Sequence, residues 1–331
     1  TVWTIPLSYY KNFDNKDITL AFVSEASQDL EVLVDPSANG LIKFNVDSRG
    51  MYIINYPEED WDKWTDALQN NAAVLAALTP GDRANFLLDA YLLSKANYLS
   101  YVRPLQLAQY LVKEEHLTPW TVALESLRQI QKYMFTTDKR TQLMESLVKL
   151  GQPVFEKLGW DDTGSDTEKR LRTSIIEFVC SQYHKPCLEK ALEEYKKFKS
   201  DTKLRPNLLT PTLRYAMRQS SDTNDWDFLW SKYLSENSST VKQTYFNALS
   251  YTTNPTTIKT LLDRSLDSKL VKTQDMVTLV NNLGANWDAL QILWEYFKEN
   301  HSKFQQKLST IQLGSVFNNI CSYFTNTTRK Q

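Results

Sequence analysis

Cys180-Ser181-Gln182-Tyr183-His184-Lys185-Pro186-Cys187 is the densest run of reactive side chains in this 331-residue sequence. Two thiols at this spacing can close a disulfide, stay free, or bind a metal with His184 between them. A closed structural zinc site wants four ligands, and three at this spacing fit no common knuckle. The three histidines, His116, His184 and His301, lie far apart, which favours packed or solvated roles over a shared ligand set. Cys321 stands alone and reads as a small buried apolar residue. Asn237, Asn300 and Asn326 each open an N-x-[ST] sequon, about as many as composition alone produces, so they permit N-glycosylation without implying it.

The charged runs offer little chemistry. Lys139-Arg140, Glu168-Lys169-Arg170 and Glu193-Glu194 with Lys196-Lys197 read as solvated helix faces paired at i,i+4. A functional alternative has inward-facing Lys or Arg attracting a peptide carboxylate; the sequence does not say which residues those are. Net charge is -1, without the basic stripe that nucleic acid demands, so no nucleic-acid partner is expected. No apolar run reaches the roughly 18 residues of a membrane span, and no basic-then-apolar leader opens the chain. With 8 glycines and no G-x-G-x-x-G or Walker loop, a nucleotide site is not expected.

Two kinds of element would have to position these residues. Through residue 57 the pattern has period two: Ile18, Leu20 and Phe22 alternate with Thr19, Ala21 and Val23, and Leu30, Val32 and Val34 repeat it. Pro36-Ser37-Ala38-Asn39-Gly40 and Asp47-Ser48-Arg49-Gly50 read as turns. Tyr52, Ile54 and Tyr56 fall on one face, Met51 and Ile53 on the other. About five short strands make half a β-sandwich, which needs a second sheet to close on it.

From residue 58 the period becomes about 3.6, with Trp61, Trp64, Leu68 and Leu75 on one face, then Phe86, Leu87, Ala90 and Leu93. Thr79-Pro80, Thr118-Pro119, Thr210-Pro211 and Asn254-Pro255 read as helix starts, and Ser165 to Glu168 has capping-box spacing. The loop from Gly159 to Gly164 is the expected break in the helical array. The fold class expected is mainly α: an irregular HEAT-like superhelix of antiparallel helix pairs, preceded by a small partial β-sandwich.

Seven segments then fall into a familiar order: Trp3-x-Ile5-Pro6-Leu7; Gly50-Met51-Tyr52-Ile53-Ile54-Asn55-Tyr56 followed by Trp61; Asp82-Arg83-Ala84 through Asp89-Ala90-Tyr91; Glu114-Glu115 through Pro119-Trp120; Asp225-Trp226-Asp227-Phe228; Gln274-Asp275; and Leu283-Gly284 through Trp294, Phe297 and Asn300. Together they resemble the C-terminal region of M1-family zinc aminopeptidases of the aminopeptidase N type. The resemblance implies residues 1–57 as the end of a β-sandwich domain and 58–331 as a helical ERAP1-C-like domain, with a break near 159–166. It implies a disulfide between Cys180 and Cys187, worth about 2–3 kcal/mol on the chain-entropy estimate, and hence a secretory or extracellular compartment.

Departures are equally specific. The family's G-Y-Y-R-V strand has an arginine where this chain has Ile53, and a second disulfide of some members would fall near Arg214 and Tyr251. Family members also run a few helices beyond the equivalent of Gln331.

Family catalysis, as the resemblance implies, needs H-E-x-x-H with a downstream glutamate for zinc, and G-x-M-E-N for the substrate's amino terminus. Neither motif occurs in this sequence, so no catalytic or metal-ligating residue is expected in it. The expected role is non-catalytic: a cap that encloses the peptide while zinc sits in the parent's catalytic domain. The expected partners are that catalytic domain, peptide substrates, and a second copy through the helical domain. Any membrane anchor lies in other segments. A second reading, a stand-alone α-solenoid module that binds protein in its groove, is opposed by the open β portion, since solenoid ends need polar caps.

Overall fold

Two strands pair near the N-terminus of the computed structural model, which describes residues 3–12, 17–32 and 41–324. β1 (Ile5–Asn12) and β2 (Asp17–Val23) run antiparallel, with Ile5 opposite Val23 and Tyr9 opposite Thr19. The period-two pattern of 18–23 is thus a strand, but Ile18, Leu20 and Phe22 stand 51%, 59% and 54% exposed. Leu30 and Val32 form no strand, and the described residues hold a two-stranded sheet where about five strands were expected. Val34 and the Pro36–Gly40 turn lie outside the described residues.

The segment 41–56 follows the sheet with one bridge, Tyr9 to Phe44. Its turn is tight: Asn45, Asp47 and Ser48 all adopt left-handed backbone. Asn45 holds it closed, its carboxamide accepting from the Gly50 N–H at 2.8 Å and donating to the Gly50 carbonyl at 3.0 Å. A Cβ on Gly50 would collide with the Tyr52 ring. Beyond it burial alternates as the sequence predicts, with Met51 and Ile53 exposed and Tyr56 buried.

Two compact units make up the chain, residues 1–130 and 131–331. In the first, β1 and β2 are followed by α1 (Glu58–Asn70), α2 (Ala72–Ala77), α3 (Pro80–Lys95), α4 (Val102–Leu107) and most of α5 (Leu117–Tyr133). The aromatic residues of the predicted helical face form its centre. Trp61 and Trp64 are fully buried, Trp64 lies 4.5 Å from the Phe86 ring, and Tyr56 meets Trp61 edge-on at 5.1 Å.

The second unit is helical: α6 (Arg140–Leu158), α7 (Asp166–Ser181), α8 (Lys185–Lys199), α9 (Pro206–Gln219), α10 (Thr223–Ser235), α11 (Ser239–Leu249), α12 (Pro255–Leu266), α13 (Thr273–Gly284), α14 (Trp287–Glu299), α15 (His301–Lys307) and α16 (Thr310–Cys321). Consecutive helices pack as pairs, α6 on α7, α8 on α9, α10 on α11 and α13 on α14, while α7, α9, α11 and α13 touch in succession. Their shared core includes Leu213, Trp226, Leu229, Phe246, Leu261 and Leu293. The chain is therefore mainly α, with a small β part ahead of the helices. Among the described residues no helix is long and apolar enough to cross a membrane.

Helix starts follow the capping signals in most places. Thr79 and Asp82 form a reciprocal box on α3, Ser165 and Glu168 another on α7, and the Asn254 side chain accepts from the Thr256 and Thr257 N–H groups. Two starts differ. α5 begins at Leu117, so Pro119 lies in its first turn, where its missing N–H is harmless. Thr210-Pro211 is no start at all: α9 begins at Pro206 and Pro211 lies inside it. Proline at 211 frees the Asn207 carbonyl, and the Thr173 hydroxyl donates to it at 3.0 Å.

Candidate functional site

In the first unit, one face of α3 holds the β portion in place. Asp82 and Asp89, two helical turns apart, aim their carboxylates at the extended segment. Asp82 accepts from the Asp47 N–H at 2.6 Å and the Tyr10 hydroxyl at 3.2 Å, and Asp89 accepts from the Ile54 N–H at 3.2 Å. Lys43, fully buried, donates to Asn85 at 2.8 Å and to the Asn45 carbonyl at 3.1 Å, and lies 3.7 Å from Asp82. Burial dominates both charges: the Asp89 carboxyl is pushed up to about 6 and the Lys43 ammonium down to about 8. Next in the helix, Arg83 grips Glu114 with two bonds, 2.6 and 3.0 Å, and donates to the Leu78 carbonyl at 2.7 Å. The Trp120 indole then donates to the Glu114 carbonyl at 2.8 Å. Every one of these groups is structural.

The second unit gathers cations and aromatic rings. α9 carries Arg214 and Arg218 one turn apart, among the buried neighbours Leu213, Tyr215 and Met217. The Arg218 guanidinium lies 4.6 Å from the Tyr183 ring centre, 5.2 Å from Tyr251 and 5.6 Å from Tyr215. Arg140, at the start of α6, lies 4.4 Å from Trp287 and 5.5 Å from Tyr183. Lys132 faces Tyr323 at 4.8 Å, and the Tyr323 ring in turn meets Phe135 at 5.0 Å.

Four cations thus meet two carboxylates, Glu177, 2.9 Å from Arg214, and Asp288, which accepts from the Tyr183 hydroxyl at 2.7 Å. Burial pulls the Arg140 guanidinium below its ordinary value and pushes the Tyr183 hydroxyl up. Burial also opposes charge on Arg214, but Tyr251 and Glu177 more than offset it and its pKa is raised. The Nε–H groups of Arg214 and Arg218 are buried without an acceptor. Buried donors normally find partners; here the guanidinium groups lie against the Tyr183 and Tyr251 rings instead.

The loop that delivers Tyr183 is the one with the reactive run. Cys180 and Cys187 are disulfide-bonded and fully buried, so neither the metal nor the free-thiol reading describes them. The disulfide closes a loop in which Tyr183 takes left-handed backbone and the Ser181 carbonyl accepts from Arg218 at 3.3 Å. His184 packs its ring edge-on to Phe155, while His116 and His301 are exposed elsewhere. Among the described residues no group of three or more His, Cys, Asp or Glu could hold a metal. Cys321 is half-buried rather than buried. Asn237 is exposed, Asn300 is half-buried, and Asn326 lies outside the described residues.

The charged runs divide. Glu193 and Glu194 pair with Lys190 and Lys197 on an exposed face of α8, as expected. Arg140 departs from the expected solvated face: Lys139 is exposed, but Arg140 turns inward onto Trp287. Sequence reasoning did not single out Tyr183, Arg218 or Trp287. A signal existed for Arg218, which follows the apolar run Tyr215-Ala216-Met217 one turn after Arg214.

Comparison with known proteins fits this architecture. Residues 41–331 match the model of the ERAP1-like C-terminal domain. The chain belongs to that family. It is 30% identical over 317 residues to mouse endoplasmic reticulum aminopeptidase 1, covering 95% of this chain and 33% of the relative. Human glutamyl aminopeptidase is 29% identical over 320 residues (93% and 33%), and human endoplasmic reticulum aminopeptidase 2 is 26% identical over 340 (100% and 34%). The chain therefore spans about a third of the length of these relatives and corresponds to the C-terminal region of M1 aminopeptidases. Within this ERAP1-like domain, the motif residues Asp82, Arg83, Asp89, Glu114 and Trp120 are the polar ties of α3 and α5. Arg214 and Tyr251, near which a second disulfide of some members would fall, form a cation–π pair at 5.4 Å.

Proposed function

We propose that this chain is the non-catalytic C-terminal portion of a zinc aminopeptidase that removes N-terminal residues from peptides. Its part is to wall in the substrate. The observation that carries this reading is the Arg140–Tyr183–Arg218 cluster: cations in excess of carboxylates, packed on aromatic walls. The anion such a reading supplies is the carboxylate end of an enclosed peptide, held by charge-assisted bonds. Holding the distal end fixes the peptide's register and leaves its amino end for chemistry elsewhere, as positioning groups do in general.

Zinc belongs to a catalytic domain outside this chain, as the relationship to M1 aminopeptidases supports. Docking to that domain is supported by the exposed apolar strand face of Ile18, Leu20 and Phe22, with Met51 and Ile53 also exposed. Boundaries near 57/58 and a break near 159–166, a HEAT-like stacking of the helix pairs, self-association through the helical portion, and a lumenal or cell-surface location complete the proposal. The buried disulfide supports the location.

The test uses the parent enzyme with Arg140→Met and Arg218→Met. Peptides with a free carboxylate should lose at least tenfold in kcat/KM, through KM, while the same peptides with an amidated end change less than twofold. Equal losses for both, or no loss for either, would remove the cluster from substrate binding.

A further inference from the structure

We infer that Asn237 is an N-glycan acceptor and that Asn300 is not; this rests on the reading of the chain as part of a secretory-route aminopeptidase. Asn237 and Ser238 lie in the turn between α10 and α11, and Ser239 opens α11. Asn237 is exposed, and no hydrogen bond ties its carboxamide among the described residues. Its neighbours Glu236 and Ser238 have open backbone, φ/ψ -74/132 and -73/115. A tripeptide in this form can be drawn into a transferase cleft by fraying only the first residue of α11. One turn upstream, Leu234 is 46% exposed at the end of α10. A glycan at this turn would shield that side chain from water and from other proteins.

Asn300 presents the opposite case. It joins α14 to α15, half-buried, with its Nδ2 donating to the Tyr296 carbonyl at 3.1 Å and its Oδ1 accepting from Lys303 at 2.8 Å. Its own carbonyl accepts from the Lys303 and Phe304 N–H groups, starting the next helix. The nitrogen that would carry the sugar is thus turned back onto a helix end. At Asn237 the transfer is straightforward. A bond forms between Nδ2 and the anomeric carbon of a lipid-pyrophosphate-linked oligosaccharide, the anomeric C–O bond breaks, the lipid pyrophosphate leaves, and the amide gives up one proton. With a glycan there, the α10–α11 turn is closed to protein contacts, and any partner must use other surfaces.

The experiment expresses the parent enzyme, with Asn326→Gln in this portion, behind a cleavable secretory signal in eukaryotic cells. A glycosidase that converts the glycosylated asparagine to aspartate is followed by site-resolved mass spectrometry of both secreted and retained protein. Asn237 should appear as aspartate in most molecules and Asn300 as asparagine. Asn237→Gln and Ser239→Ala should each abolish the mass shift. An unmodified Asn237, or Asn300 occupied as fully as Asn237, overturns the inference. Because the signal is supplied, a negative result counts against the site and leaves the native compartment to cell fractionation.

Discussion

Arg218 and Tyr183 meet face to cation at 4.6 Å, Arg218 from the last turn of α9 and Tyr183 from the loop between α7 and α8. The contact couples three features that the sequence presents separately: the α9 apolar run, the disulfide loop and the start of α14. Arg218 also donates to the Ser181 carbonyl, and the Tyr183 hydroxyl donates to Asp288. Removing the guanidinium as Arg218→Ala should therefore cost about 2–4 kcal/mol, from one charged hydrogen bond and desolvated cation–π contact. Urea denaturation would show this. A loss under about 0.5 kcal/mol would mean a surface-like arginine.

Cys180→Ala with Cys187→Ala should lower stability by about 2–3 kcal/mol, the entropy of a short closed loop. The same change should free Tyr183 from its left-handed backbone. Hydrogen exchange should rise at residues 181–186 before it rises elsewhere in the unit. Uniform exchange throughout would contradict the loop's role as holder of Tyr183.

Arg83→Met should be among the most damaging single changes in the first unit, at about 3–5 kcal/mol, because it leaves Glu114 buried and unpaired. Arg83→Met with Glu114→Gln should recover part of that loss. Differential scanning calorimetry of both variants tests it, and a double variant worse than the single one contradicts the pairing.

The α3 junction should give the first unit a shallow trough of stability near neutral pH. The Asp89 carboxyl, pushed up to about 6, takes a proton in the folded state before the unfolded chain does, so its cost is relieved as pH falls below 6. The Lys43 ammonium, pulled down to about 8, loses its proton in the folded state first, so its cost is relieved as pH rises above 8. Asp89→Asn keeps an acceptor for the Ile54 N–H and should abolish the acid-side gain only. Denaturant midpoints at pH 5, 7 and 9 for the wild type and Asp89→Asn distinguish these slopes.

Local signals carried most of the helical fold. Thr79, Ser165 and Asn254 cap the helices that their spacing announces, because a cap needs only neighbours three residues away. Pro211 misled because the freed carbonyl is satisfied from another helix, by Thr173, which no local pattern shows. The strand at Leu30 and Val32 failed for the same kind of reason: a strand exists only with a partner. The cation cluster was illegible because Arg140, Tyr183, Arg218, Tyr251 and Trp287 are spread across most of the second unit in sequence, and only packing brings them together.

The most direct measurement is zinc-dependent release of a chromogenic group from an amino-acid amide, by the 331-residue chain alone, by the parent's catalytic fragment alone, and by the two mixed. The account predicts no turnover by this chain at any zinc concentration, and a stable complex with the fragment that changes its action on peptides. Turnover by the purified chain alone, abolished by a chelator and restored by zinc, would contradict it.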